Sequence, residues 1–163
     1  IMVDAYQDIT IPFQMSSVEF FNMVKDHLTE NGVMVVNMNM RGSGEGNINQ
    51  YLADTIASVF GTVYTADVKG STNRELFASN QEDMLDTLKN NAGNLANADL
   101  QNMMIAVADT STQYDGGDYI MTDDKAPVEL LGMQVIDQVI KEEVAYYKGI
   151  YEEQGLDGLL QSL

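Results

Sequence analysis

Val33-Met34-Val35-Val36, running on through Asn37 to Met38, is nearly all apolar over a strand's length. Such a run reads as a β-strand covered on both faces. Upstream, Ser16-Ser17-Val18-Glu19 has the capping-box spacing, in which a hydroxyl and a carboxylate satisfy free N–H groups at a helix start. Phe20, Phe21, Val24 and Leu28 then mark one apolar helix face, and Asn31-Gly32 is a helix stop. Downstream, a glycine-rich loop from Arg41 to Asn47 leads into a second helix, lined by Leu52, Ile56, Val59 and Phe60 and ended by Gly61. Ile1–Asp4 and Thr62–Val68 read as flanking strands, because short β-branched and apolar runs favour extended backbone. Strand–helix–strand–helix–strand implies right-handed crossovers and a parallel sheet. The turn Lys69–Asn73 is too short for a crossover, so the next strand, Arg74–Ser79, should be antiparallel.

From Asn80 onward the pattern is helical. Gln81 to about Asn91 and Asp99 to about Ala108 are expected helices around a weak Gly93-Asn94 break. Gly116-Gly117 opens a loop that carries Thr122-Asp123-Asp124-Lys125-Ala126-Pro127. Pro127 suits a first helical turn. Val128, Leu131, Val135, Val139 and Ile140 continue the apolar stripe to about Lys148, before Gly149 and a short terminal segment.

The 163 residues suffice for one domain, able to bury roughly 68–70% of its unfolded-chain surface. With 45% hydrophobic residues it is a globular sequence, yet it carries a formal charge of −17. That charge argues against nucleic acid and anionic membranes as partners, both of which are bound through Lys and Arg. The absence of cysteine excludes disulfides, thiolate metal sites and thiol nucleophiles. No apolar run is long enough to span a bilayer. The chain opens in what reads as mid-strand, without an initiator methionine, so a piece of something longer is expected.

Four features invite chemistry. Gly42-Ser43-Gly44-Glu45-Gly46 lies between a strand and a helix, with Asp67 at the end of the next strand, as a nucleotide-type cofactor loop would. Its third glycine is off that spacing and Glu45 adds a negative charge, so a plain connection is the other reading. Asp4 ends an interior strand, where open α/β sheets place their ligands. It is either a general base or a turn cap. Asp8 could add a second negative contact for a cationic substrate. Asp123-Asp124 is an acidic pair ahead of a helix, where capping competes with ligand binding. His27 is the sole histidine, which rules out a multi-histidine metal site.

Several stretches resemble a known family. Val3-Asp4-Ala5-Tyr6 through Ile11-Pro12, Val18-Glu19-Phe20-Phe21 and Gly32–Asn37 are similar to the second half of spermidine synthase-like aminopropyltransferases, some of which are fused to membrane transporters. Thr72-Asn73-Arg74-Glu75 and Thr122–Glu129 look like later signatures of the same group. The resemblance implies the C-terminal half of a Rossmann-like class I S-adenosylmethionine-dependent transferase fold. Residues 1–79 would supply its strands four to seven, and residues 80–163 a helical C-terminal segment. It implies transfer of an aminopropyl group from decarboxylated S-adenosylmethionine, as co-substrate, to putrescine or a similar amine. No cofactor is then tightly bound, no metal is needed because the electrophile is a sulfonium, and the location is cytoplasmic. Asp4 would be the catalytic base, with Tyr6, Gln7, Asp8, Asp123 and Asp124 at the substrate. The family's second aspartate is replaced by Gln7, with Asp8 one residue further on. Cofactor-contacting residues are expected mainly upstream of Ile1, and the resemblance demotes the Gly42–Gly46 loop by placing it after the fifth strand, away from the cofactor loop.

Two other readings stand beside this one. The chain could act as a non-catalytic homo-oligomer that covers the edge of its first strand. It could also belong to a methyltransferase that uses intact S-adenosylmethionine.

Overall fold

The computed structural model describes residues 1–4, 11–39 and 44–162. Its elements, in chain order, are β1 (Met2–Val3), α1 (Val18–Asp26), β2 (Val33–Asn39), α2 (Ile48–Val59), β3 (Thr62–Asp67) and β4 (Asn73–Ser79). There follow α3 (Met84–Ala92), α4 (Ala98–Thr110), β5 (Thr112–Gln113) and α5 (Val128–Ser162). The five strands form one sheet in the order β1-β2-β4-β3-β5. β1 and β2 are parallel, and β4 is antiparallel to both β2 and β3. β1, β2 and β3 therefore point the same way, with β4 reversed and inserted between β2 and β3. This mixed sheet followed by helices matches the Rossmann-like class I transferase fold.

Along β2, fully buried Met34, Val36 and Met38 alternate with half-buried Val33, Val35 and Asn37. Complete burial is thus confined to one face, contrary to the reading of Val33–Met38 as covered on both. Val35 is paired with Met2 on the edge strand β1, whose side chain is 74% exposed. On the buried face the core is built from Phe21 and Val24 of α1, Leu52 and Ile56 of α2, and Val128, Leu131 and Val135 of α5. α3 and α4 pack on each other, and α4 also reaches β3.

The cap of α1 is shifted from the expected box. Ser17 is the N-cap and its Oγ accepts from the Phe20 N–H at 3.2 Å, while Glu19 accepts from the Asp123 N–H at 3.0 Å. Ser17 Oγ also donates to Asp123 Oδ1 at 2.5 Å. Ser17→Ala therefore removes a helix cap and a tertiary tie together. A loss of about 1–2 kcal/mol is expected in denaturant unfolding. Coupling to Asp123→Ala in a double-mutant cycle identifies the shared part.

The last helix runs well past the expected end near Lys148. Gly149 lies inside it with nothing packed against it, and a mid-helix glycine costs only about 1 kcal/mol. The break comes at Gly155, whose φ of 69° leaves the helical region. The two-residue β5 is too short to have left a pattern in the sequence. Among the described residues no helix is long and apolar enough to cross a membrane.

Candidate active site

Asp4 follows β1 directly, at the carboxyl end of the parallel strands, and is exposed. Its neighbour is Asn37 of β2, whose Nδ2 donates to Asp4 Oδ1 at 3.2 Å. Across β2 on the other side, Asn37 is paired with Glu75 of β4. Residues paired in this way share a face of the sheet, so Asp4, Asn37 and Glu75 form one polar group. Burial pushes the Glu75 carboxyl above the usual range, and the negative charge of Asp4 adds to the effect. Asn37 Oδ1 is buried with no hydrogen-bond partner among the described residues. A buried acceptor of this kind is uncommon and calls for a donor. Chemically, the group can hold a cation and can accept a proton from it.

Tyr6, Gln7 and Asp8, expected in the substrate loop, lie outside the described residues, as do Gly42 and Ser43 of the glycine-rich loop. Asp123 and Asp124 are exposed in a turn closed by mutual hydrogen bonds between Thr122 and Lys125. The structure brings Asp123 to the start of α1 through Ser17, not to the start of α5. Glu45 accepts from the Tyr119 hydroxyl at 3.2 Å. Among the described residues no cluster of three or more histidine or acidic side chains could hold a metal ion.

Glu75 and Asn37 were not singled out as site residues in the sequence. The signal is a carboxylate and an amide inside two strands, and it becomes readable only once the register places them side by side. A cavity of about 260 Å³ lies elsewhere, lined by Met38, Asn47, Gln50, Thr65, Arg74 and Tyr114 among others. Met38 is paired with Arg74, so this cavity faces the opposite side of the sheet from Asn37 and Glu75.

A fully buried carboxylate on α2 does structural work. Asp54 of α2 is 1% exposed. Its Oδ1 accepts from the Tyr114 hydroxyl at 2.5 Å, and its Oδ2 accepts from the Tyr119 N–H at 3.1 Å. Next to it, Thr55 Oγ1 accepts from the Met121 N–H at 2.9 Å. Together they pin residues 114–121 along α2. Gly116 and Gly117 are needed for this approach. A Cβ at Gly117 would stand 2.7 Å from Asp54 Oδ2, and one at Gly116 would stand 2.9 Å from the Ala57 Cβ.

Burial first, and then the hydrogen bond and charge of Asp54, push the Tyr114 hydroxyl well above its usual range. A folded-state pKa that is raised contributes stability that is fully present below the unfolded value of about 10. That stability is lost as pH rises further. Stability against urea is expected to fall above about pH 10, and Tyr114→Phe to flatten that fall.

No protein-family model matches the sequence. The chain is, however, similar over its whole length to a protein from Bifidobacterium longum (strain NCC 2705) named "Probable polyamine aminopropyl transferase". The two are 51% identical over 180 aligned residues, and the chain spans 40% of that relative's length.

Proposed function

We propose that the protein carrying this chain is an aminopropyltransferase that acts on a small amine. In this reading residues 1–79 supply the later strands of its transferase domain, and residues 80–163 its helical C-terminal segment. The supporting observation is the Asp4 carboxylate at the carboxyl end of β1, held by Asn37. The similarity to a polyamine aminopropyl transferase gives that carboxylate a task.

The acceptor nitrogen attacks the aminopropyl carbon bonded to the sulfonium of decarboxylated S-adenosylmethionine. A C–N bond forms as the C–S bond breaks. The C–S electron pair returns to sulfur, which leaves neutral methylthioadenosine. The nitrogen must shed a proton, and Asp4 takes it. Asn37 Nδ2 holds the carboxylate in position, while the acidic surroundings favour a cationic amine. Tyr6, Gln7 and Asp8 follow Asp4 in the chain as substrate-loop residues. Asp123 and Asp124 belong to the same proposed substrate surface.

The test is product analysis with the complete gene product that carries this chain. Decarboxylated S-adenosylmethionine and 1,4-diaminobutane are expected to give methylthioadenosine and an amine heavier by one aminopropyl group. Methylation of the amine by intact S-adenosylmethionine would overturn the reading in favour of a methyltransferase.

A further inference from the structure

β2 separates two carboxylates. Continuing the β1–β2 register from Met2↔Val35 and Val3↔Val36 sets Asp4 beside Asn37, and β4 sets Glu75 beside Asn37 from the other side. Adjacent strands lie about 4.8 Å apart, so the backbones that carry the two acids are roughly 10 Å apart. The acids nevertheless sense each other, since the charge of Asp4 contributes to the raised pKa of Glu75. Between them Asn37 spends its Nδ2 on Asp4, and its Oδ1 is buried without a partner among the described residues. Two acids and one orphan acceptor have the same requirement. An anion would make matters worse for all three. A neutral donor would satisfy Asn37 but leave both charges facing each other. An ammonium group, with a positive charge and three N–H donors, satisfies all of them.

We infer that Glu75, together with Asn37 Oδ1, binds the non-reacting ammonium group of a diamine while Asp4 serves the nitrogen that reacts. This rests on the aminopropyl-transfer reading. The nitrogens of an extended four-carbon diamine are separated by five bonds of about 1.5 Å, or roughly 6 Å end to end. That span is shorter than the roughly 10 Å between the backbones that carry the two acids. Glu75 is thus a specificity residue that reads the second positive charge and separates diamines from monoamines.

The experiment compares 1,4-diaminobutane with 1-aminobutane as acceptors for the complete gene product, with Glu75→Gln and Glu75→Asp as variants. Glu75→Gln is expected to raise KM for the diamine about tenfold to a hundredfold, the range of one lost charge-assisted hydrogen bond. KM for the monoamine should change far less than KM for the diamine, and an unchanged circular-dichroism spectrum shows that the variant is folded. Glu75→Asp should recover part of the diamine preference. An equal change for both amines, or no change for either, overturns the inference. Failure of the aminopropyl reading looks different, because the unmutated protein then yields no methylthioadenosine. In that event calorimetric titration with 1,4-diaminobutane decides. Binding weakened by Glu75→Gln supports an ammonium site at Glu75 without the reaction, whereas identical titrations, or no binding at all, overturn it.

Discussion

Replacing Asp4 with asparagine is expected to lower kcat for aminopropyl transfer by about 10²–10⁴-fold, the usual worth of a positioned general base. The substitution is close to isosteric, and the introduced amide still offers an oxygen to Asn37 Nδ2, which now bonds to Asp4 at 3.2 Å. The local structure should therefore persist while the proton acceptor is lost. KM for decarboxylated S-adenosylmethionine should change little, because the proposed partner of Asp4 is the amine and not that co-substrate. The residual rate should rise with pH toward the amine's own pKa, about 10 for an alkyl ammonium, since only amine already deprotonated can attack. A second readout lies across the strand. Removing the Asp4 charge takes away one of the two causes of the raised Glu75 carboxyl, so its pKa should move down. A variant with undiminished kcat would leave Asp4 as a turn residue and remove it from the chemistry.

The two halves of this site were unequally legible. Asp4 is legible in the sequence as a candidate because its signal is local: a short apolar strand ending on a carboxylate, in a chain whose strand–helix alternation dictates parallel strands. The β3–β4 hairpin was equally local, since residues 69–73 are too few for a crossover. The insertion of β4 between β2 and β3 is not local. It places Glu75 opposite Asn37, residues 38 positions apart in the chain, and neither propensity nor hydropathy encodes that register. The similarity to spermidine synthase-like enzymes placed β4 as a final antiparallel strand, but it assigned Glu75 no role. The far end of α5 was missed for a different reason. Gly149 reads as a stop in the sequence, although a single glycine is only a modest penalty inside a long helix.

Asp54 shows the same limit in the energetics. In the sequence it is one polar position on a helix whose buried side holds Leu52, Ile56 and Val59, and an exposed placement would be unremarkable. Its partners, Tyr114 and Tyr119, come from 60 and 65 residues further along the chain. Asp54→Ala is expected to destabilise the fold by roughly 2–3 kcal/mol, because it strands a half-buried tyrosine hydroxyl and a backbone N–H that shared one buried acceptor. For a chain of this size that corresponds to a fall in Tm of roughly 5–10 °C. Asp54→Asn should lie between the two. Its carbonyl oxygen can still accept from Tyr114, but its amide then turns a donor toward the Tyr119 N–H, also a donor. Tyr114→Phe should cost less than Asp54→Ala and should be strongly non-additive with it, since both delete the same hydrogen bond. The damage should be local before it is global. Backbone amides of Tyr119 and Met121, whose acceptors are Asp54 and Thr55, should lose hydrogen-exchange protection in Asp54→Ala ahead of those in β2 and β4. Equal loss across the sheet would mean that Asp54 supports the whole core and not the 114–121 segment alone.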